Sequence, residues 1–448
     1  MRHPADGVAI RLFEYDDNGF QTGITSENGD KVTLGYDDRG NVTSRTTCRA
    51  AGDCQTSYTT YPVATGDFDL RGDQPSETRD GRSSGPTDNR FRTQYTYNTS
   101  GALLTQTAPD GGTARNTYTT GAEPAVGGGN TPTGLPLTTA DPRGKTTRYQ
   151  YYRNGDLAWV TEPSGRVTKY TYDALGRKLT ETVVTDANPS GTTSTFAYDK
   201  LSRVTTLIDP AATNVVTLGR HQQRTTTTYD ADGNVVRTEV SDLLGGDATR
   251  VMTFELDDRG RPERVTDAEG NETTYTYDVF GNKTSMVDGN GNHFDYVYTA
   301  RNMMAEARLR DWDDDGGDPD HTVLNSYAYD MGGRLVRHTD SMGRSLVYQY
   351  YGDDLVKSIT LKGFRDPDGT RRDIVVESNT YDGAGNVLTE TTGNGKVVTQ
   401  YAYDAVGRVK SEVTDPGGLA RRTTYTYDLA GNVETTASGG SPPTCPGR

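Results

Sequence analysis

The chain has 448 residues, of which 32% are hydrophobic, and its mean hydropathy of -0.77 excludes a set of ordinary globular domains with separate thick cores. Its 47 Lys and Arg against 62 Asp and Glu leave a net charge of -15, which excludes nucleic acid and anionic membrane as expected partners because the surface repels both. No stretch approaches the roughly 20 apolar residues of a membrane span, and 28 Tyr against 9 Phe and 2 Trp put the apolar area in rings with a polar tip.

In chain order, residues 1–57 hold the first repeats, with reversals beginning at Tyr15 and Tyr36. Met1 to Leu12 has no apolar run of the secretory kind. Cys48 and Cys54 flank a short Arg-Ala-Ala-Gly-Asp run that reads as a hairpin tip, where a local disulfide and two free thiols are both open readings. No His or second Cys pair stands near them at metal-ligand spacing. Residues 58–94 lack the repeat and are rich in Gly, Asp, Arg and Ser, so an irregular insert over the surface is expected. Residues 95–437 are the main repeat array, and 438–448 form a Gly/Ser/Pro tail, containing Cys445, that is expected to be disordered.

The repeat is Tyr-Asp-x-x-Gly-Asn/Arg. It reads Tyr172-Asp173-x-x-Gly176, Tyr229-Asp230-x-x-Gly233, Tyr277-Asp278-x-x-Gly281, Tyr329-Asp330-x-x-Gly333, Tyr381-Asp382-x-x-Gly385, Tyr403-Asp404-x-x-Gly407 and Tyr427-Asp428-x-x-Gly431. Copies at Tyr15 and Tyr36 complete the strong set, weaker ones begin at Tyr97, Tyr198 and Leu256, and the spacing is about 20 to 31 residues. Before the turn, pairs such as Tyr275-Thr-Tyr277 and Tyr425-Thr-Tyr427 place two rings on one face of a strand. The Asp carboxylate folds back onto backbone N–H groups as the first residue of a type I turn, and the Gly three residues later takes the left-handed conformation that closes it. Such connections often carry a bulge.

A second reversal of the same chemistry lies between these turns, at Asp267-Ala-Glu-Gly270, Asp288-Gly-Asn-Gly291, Asp340-Ser-Met-Gly343, Asp141-Pro-Arg-Gly144 and Glu162-Pro-Ser-Gly165. Pro142, Pro163, Pro210 and Pro416 fall at second turn positions, where a fixed φ suits. Each repeat is therefore two short antiparallel strands with a turn at each end. Helix signals are nearly absent, Met303 to Leu309 being the one ambiguous piece. The fold class is all-β, tandem antiparallel hairpins, and so long a strip is expected to curl or spiral because open twisted sheets rarely exceed about ten strands.

Taken together, the Tyr-Asp-x-x-Gly-Arg/Asn copies and the intervening Asp-Pro-x-Gly-x-x-Thr resemble the YD-repeat or Rhs family, which includes bacterial Rhs proteins, the encapsulating components of Tc toxins and teneurins. The likeness covers roughly residues 10 to 437. It implies a β-sheet strip spiralled into a hollow shell around a toxic effector, secreted or at the bacterial cell surface. Complete cores of that family end in Asp-Pro-x-Gly-Leu, where a toxin begins. Asp415-Pro416-Gly417-Gly418-Leu419 matches those letters, but a normal repeat at Tyr427 follows, so it reads as an ordinary second turn and the chain as shell without effector.

No enzyme site is expected. The histidines at 3, 221, 293, 321 and 338 are scattered, no nucleophile-elbow, zinc-helix or phosphate-loop pattern occurs, and the aspartates are explained by their turns. One insert opens like a calcium loop, with Asp311, Asp313 and Asp315 alternating before Gly316, but Thr322 at the twelfth position cannot supply the bidentate carboxylate. A solvated loop is the preferred reading there and Ca²⁺ the alternative; no other cofactor is implied. A second insert, Arg365-Asp366-Pro-Asp368-Gly369, is expected to mark a long loop. The functional expectation is a non-catalytic scaffold that encapsulates or presents a toxin polypeptide. The rival is a cell-surface adhesin whose Tyr and Asp bind glycans or a receptor.

Overall fold

The structure is a computed structural model and describes residues 10–63, 66, 70–310 and 321–440. It is all-β, and 34 of the strands among the described residues belong to one antiparallel sheet. Its first strand, Leu12–Tyr15, pairs with Gln21–Thr25, and its last, Val433–Gly439, pairs with Arg421–Tyr427, so the strip is ordered as the chain is. No helix among the described residues is long and apolar enough to cross a membrane.

Two compact units divide the chain, one of Met1–Arg115, Asp141–Gly144 and Asn325–Arg448, the other of Asn116–Ala140 and Lys145–Leu324. Within each, the unit of construction is the hairpin across the Tyr-Asp turn. Val167–Tyr172 pairs with Lys178–Thr185 so that Thr171 faces Thr180 but Tyr172 faces Lys178, one residue being extra on the returning strand. The same slip recurs at Tyr229, Tyr277, Tyr329, Tyr381, Tyr403 and Tyr427. The bulge follows from the turn: a left-handed Gly closing a type I reversal leaves the strands one residue out of step.

The two faces of the sheet differ in chemistry. The middle Thr of Tyr-Thr-Tyr is exposed and shares a hydroxyl hydrogen bond across the turn, as between Thr96 and Thr105 (2.6 Å), Thr171 and Thr180 (2.6 Å), and Thr426 and Thr435 (2.7 Å). The flanking rings are half-buried on the opposite face. Among the described residues there is no second layer of large side chains fully buried against these rings. Among the described residues the buried hydrophobics are Ala125, Tyr151, Ala158 and Val413, and no large side chain is fully buried. In the second unit Thr119, Ala125 and Thr131 of the loop 119–135 are buried, as is Tyr151, whose carbonyl accepts the Val126 N–H at 2.8 Å.

Several local expectations change. Met304–Arg310 is a strand, so the ambiguous piece is resolved by its pairing with His293–Tyr298. The insert at Asp366 is not a long loop: Val356–Arg365 and Arg371–Tyr381 extend as one hairpin, closed by Asp366 N–H to Thr370 C=O and Gly369 N–H to Asp366 C=O, both 2.9 Å. Pro210 does not sit in a tight reversal but opens a small ribbon, Ala212–Thr213 with Arg220–His221, outside the main sheet. Within residues 58–94, Glu77–Arg79 is a strand paired on both sides.

Candidate functional site

The repeated turn is the site, because its polar groups tie one hairpin to the next. At Asp173, the backbone N–H donates to Arg177 C=O (2.9 Å) and its C=O accepts from Gly176 (3.0 Å). One carboxylate oxygen accepts the N–H of Leu175 and of Arg177, at 2.9 and 3.0 Å, and the other accepts Arg177 Nε at 2.7 Å. Where Asn replaces Arg, its amide does the same, as Asn234 Nδ2 to Asp230 (3.0 Å), Asn282 to Asp278 (2.8 Å), Asn386 to Asp382 (2.9 Å) and Asn432 to Asp428 (2.8 Å). Each carboxylate thus satisfies backbone donors and one side chain at once. The closing glycines all lie in the left-handed region: φ is 77° at Gly176, 96° at Gly233, 94° at Gly281, 90° at Gly333, 88° at Gly385, 90° at Gly407 and 88° at Gly431.

The tyrosine before the turn reaches backwards. Its hydroxyl donates to the carbonyl of the residue just after the preceding turn's closing position, which is Asn or Arg in most repeats, Asp156 before Leu157 and Leu355 before Val356. Tyr277 donates to Pro262 at 2.9 Å, Tyr381 to Val356 at 2.8 Å, Tyr403 to Val387 at 2.7 Å and Tyr427 to Val409 at 2.7 Å. Tyr172 and Tyr229 do so to Leu157 and Val204, both at 2.9 Å. The bulge opens that carbonyl to a side chain. The Arg of one turn reaches forward over the next ring: Arg203 lies 4.6 Å from the Tyr229 centroid, Arg261 4.3 Å from Tyr277, Arg334 4.9 Å from Tyr350 and Arg408 4.8 Å from Tyr427. Arg203 Nη1 and Arg408 Nη1 also donate to the carbonyls of Asp230 and Asp428, at 3.1 and 3.2 Å. Successive repeats are therefore locked in both directions.

The charges respond. The Arg261 guanidinium and backbone donors hold the Asp257 carboxyl down at about 2, and the Arg177 guanidinium lowers Asp173 likewise. Asn amides, then backbone donors, lower Asp230, Asp278 and Asp428. Burial, reinforced by the neighbouring Glu390 carboxylate, pushes the Tyr401 hydroxyl up to about 12.

In the first unit the turns make a second kind of contact, between residues some 300 positions apart. Arg49, 6% exposed in its side chain, donates from Nε to Asp353 at 2.7 Å and from Nη1 to Tyr381 C=O at 2.8 Å, and also meets Asp382 C=O. Arg82 donates to the carbonyls of Asp404 and Ala405, both at 3.0 Å. Arg408 donates to Asp110 at 2.9 Å, Arg143 to Asp428 at 3.0 Å, and Asn28 to Asp330 at 3.1 Å. The tips of one run of hairpins are thus stitched to the tips of another. Arg49 is the bulged residue between Cys48 and Ala50, and the bulge turns its side chain into the seam.

Cys48 and Cys54 face one another in that hairpin with sulfurs bonded and Cα atoms 3.9 Å apart. Asp415 heads a reversal but differs from the other second turns, since it is itself left-handed at φ 55°, as is Ala420 at 46°. Asp311, Asp313 and Asp315, with His3 and Cys445, lie outside the described residues. The closing Asn or Arg is part of the motif in the sequence, but its bond to the Asp carboxylate and the reach of the tyrosine hydroxyl come from the structure. The recurrence of Asn and Arg after most of the closing glycines of the Tyr-Asp turns was the available signal, because both carry a planar N–H donor.

A strip of tandem hairpins, locked turn to turn and with no large side chain fully buried among the described residues, defines a structural repeat protein. The RHS Repeat family model matches the chain at residues 15–53, 151–188, 257–293 and 381–420, so these segments are similar to that family's repeats. The chain's fold is similar to those in the crystal structures of TcdB2-TccC3-Cdc42 (TM-score 0.56, 14% identity, 97% of this chain and 23% of that one) and of TcdB2-TccC3 without the hypervariable C-terminal region (TM-score 0.55, 15% identity, 96% and 23%). A curated relative, the tRNA3(Ser)-specific nuclease WapA of Bacillus spizizenii, is 25% identical over 279 residues, 60% of this chain. The match spans 10% of that relative, so its nuclease name describes a far longer protein.

Proposed function

We propose that the chain is a length of non-catalytic shell wall that confines a passenger polypeptide of the toxin class, secreted or displayed by a bacterium. The observation that carries this reading is the sheet's one-sidedness. A row of half-buried rings, from Tyr170 to Tyr425, lies on one face with no second layer of large side chains against it among the described residues. A sheet with only one layer gains little from burial of its own, and a concealed polypeptide supplies the missing apolar contact. The stitched turn tips favour a wall over an isolated ribbon, because stitching removes gaps between neighbouring runs. The opposite face carries paired hydroxyls and suits water.

The test is to purify the full-length product containing this chain from its source, treat it with protease and identify surviving fragments by mass spectrometry. A protected polypeptide that becomes digestible only once the sheet is unfolded is expected. Complete digestion of everything outside the repeats, together with saturable binding to a glycan array, would instead favour surface adhesion.

A further inference from the structure

The second unit contains a cluster that the repeat does not explain. His221 ends the short ribbon strand Arg220–His221, and Asp242 ends the strand Val235–Asp242. The following turn returns Asp247 toward both. His221 Nδ1 lies 2.7 Å from Asp242 Oδ2 and 3.5 Å from Asp247 Oδ2, and the three ligand atoms lie within 4.8 Å of one another.

Three further observations converge there. Asp242 is anchored: its other oxygen accepts the N–H of Gln222 at 2.9 Å and of Leu244 at 3.1 Å, and its side chain is 5% exposed. Gly246, at φ 111°, lies so close to the imidazole that a Cβ would stand 3.1 Å from His221 Cε1, so glycine is what lets the loop close over the ring. Ser241 Oγ, buried without a hydrogen-bond partner, lines the same small cavity as the three ligands, as does Arg250.

We propose that His221, Asp242 and Asp247 bind one borderline divalent transition ion, Zn²⁺ in type, with water completing its shell. An imidazole nitrogen with two carboxylates neutralises a doubly charged ion, and the nitrogen donor favours Zn²⁺ over the all-oxygen preference of Ca²⁺ and Mg²⁺. The buried carboxylate supplies a fixed ligand, with its second oxygen oriented by backbone donors. Asp247, 70% exposed, supplies a mobile one that closes on the ion. In the neutral ring, the ion takes the place of the proton shared by Nδ1 and Oδ2, and the ring's single proton resides on Nε2, so no charge is left unbalanced. Such an ion would tie the ribbon 212–221 to the edge of the main strip.

The test is calorimetric titration of the untagged full chain with Zn²⁺ at near-neutral pH, beside His221→Ala, Asp247→Asn and the distant control His293→Ala. About one ion per chain is expected, with affinity lowered at least roughly tenfold by either ligand substitution and unchanged in the control. Equal affinity in His221→Ala and the unaltered chain, or no heat up to about 100 µM Zn²⁺, a range in which a three-ligand site fills, would overturn the proposal. Should His221→Ala alter the far-ultraviolet spectrum, the exposed Asp247→Asn decides alone: unchanged affinity there refutes the site. Ca²⁺ binding as tightly as Zn²⁺ would refute the ion class.

Discussion

The Tyr427 hydroxyl lies 2.7 Å from the carbonyl oxygen of Val409, 18 residues earlier, and so joins the start of one turn to the end of the one before. The carbonyl it satisfies is the first after the preceding Arg408, where the bulge has displaced the ladder. Tyr427→Phe removes only the donor. The expected cost is about 1 kcal/mol, the net worth of a neutral hydrogen bond, read from the denaturant midpoint. No change in midpoint would mean that water replaces the hydroxyl without loss.

Gly281 has φ 94° and open space around it: a Cβ placed there would find Arg261 Nη1 as its nearest neighbour, at 3.8 Å. Gly281→Val should therefore destabilise through backbone strain rather than collision, by roughly 1–2 kcal/mol. Gly407→Val, at φ 90°, should cost a similar amount. Thermal unfolding unchanged in both would contradict the turn geometry.

Arginines that look alike in the sequence should differ sharply. Arg49 is 6% exposed and Arg82 10% exposed, and both bridge separate runs of hairpins in the first unit. Arg49→Ala leaves Asp353 buried without its cation, and a loss of about 3–5 kcal/mol is expected. Arg344, 64% exposed, pairs with Asp340 of its own turn, so Arg344→Ala should cost less than about 1 kcal/mol. Denaturant unfolding of the two variants side by side checks this ordering.

Acid should loosen the strip. Asp173, Asp230, Asp257, Asp278 and Asp428 all have folded carboxyl values below the ordinary one, Asp257 at about 2. A depressed folded value means that the stabilisation is complete above the unfolded value near 4 and is lost as the pH falls through the folded value. The melting temperature should therefore be flat above about pH 5 and fall steeply toward about pH 2. Asp257→Asn, which keeps an acceptor but cannot titrate, should shallow that fall. A melting temperature independent of pH across this window would contradict the turn electrostatics.

Much of this architecture is legible in the residues. Asp-x-x-Gly recurring every ten or so positions fixes the reversals, and Tyr-Thr-Tyr fixes which side chains share a face, because both rules act over a few residues. What escapes is whatever depends on contacts between turns. Nothing local in Arg82 distinguishes it from Arg344, yet one crosses to Asp404 and the other pairs with Asp340 of its own turn. The Asp366 insert reads as a loop because its letters are turn-like, whereas the flanking Val356–Arg365 and Arg371–Tyr381 pair and carry the turn outward as an extended hairpin. His221 and Asp242 are 21 residues apart and meet only because the ribbon folds back on the strip.

The central claim is that each repeat is energetically coupled to the next through the arginine, the ring and the hydroxyl. A double-mutant cycle on Arg261→Ala and Tyr277→Phe or Tyr277→Ala, followed by denaturant unfolding, measures that coupling directly, since the guanidinium lies 4.3 Å from the ring centroid. The account predicts a coupling of about 0.5–1 kcal/mol for the Arg261→Ala and Tyr277→Ala pair. It predicts a smaller value with Tyr277→Phe, which keeps the ring. Strict additivity in both cycles would show that the repeats stand side by side without being locked, and the account would fail.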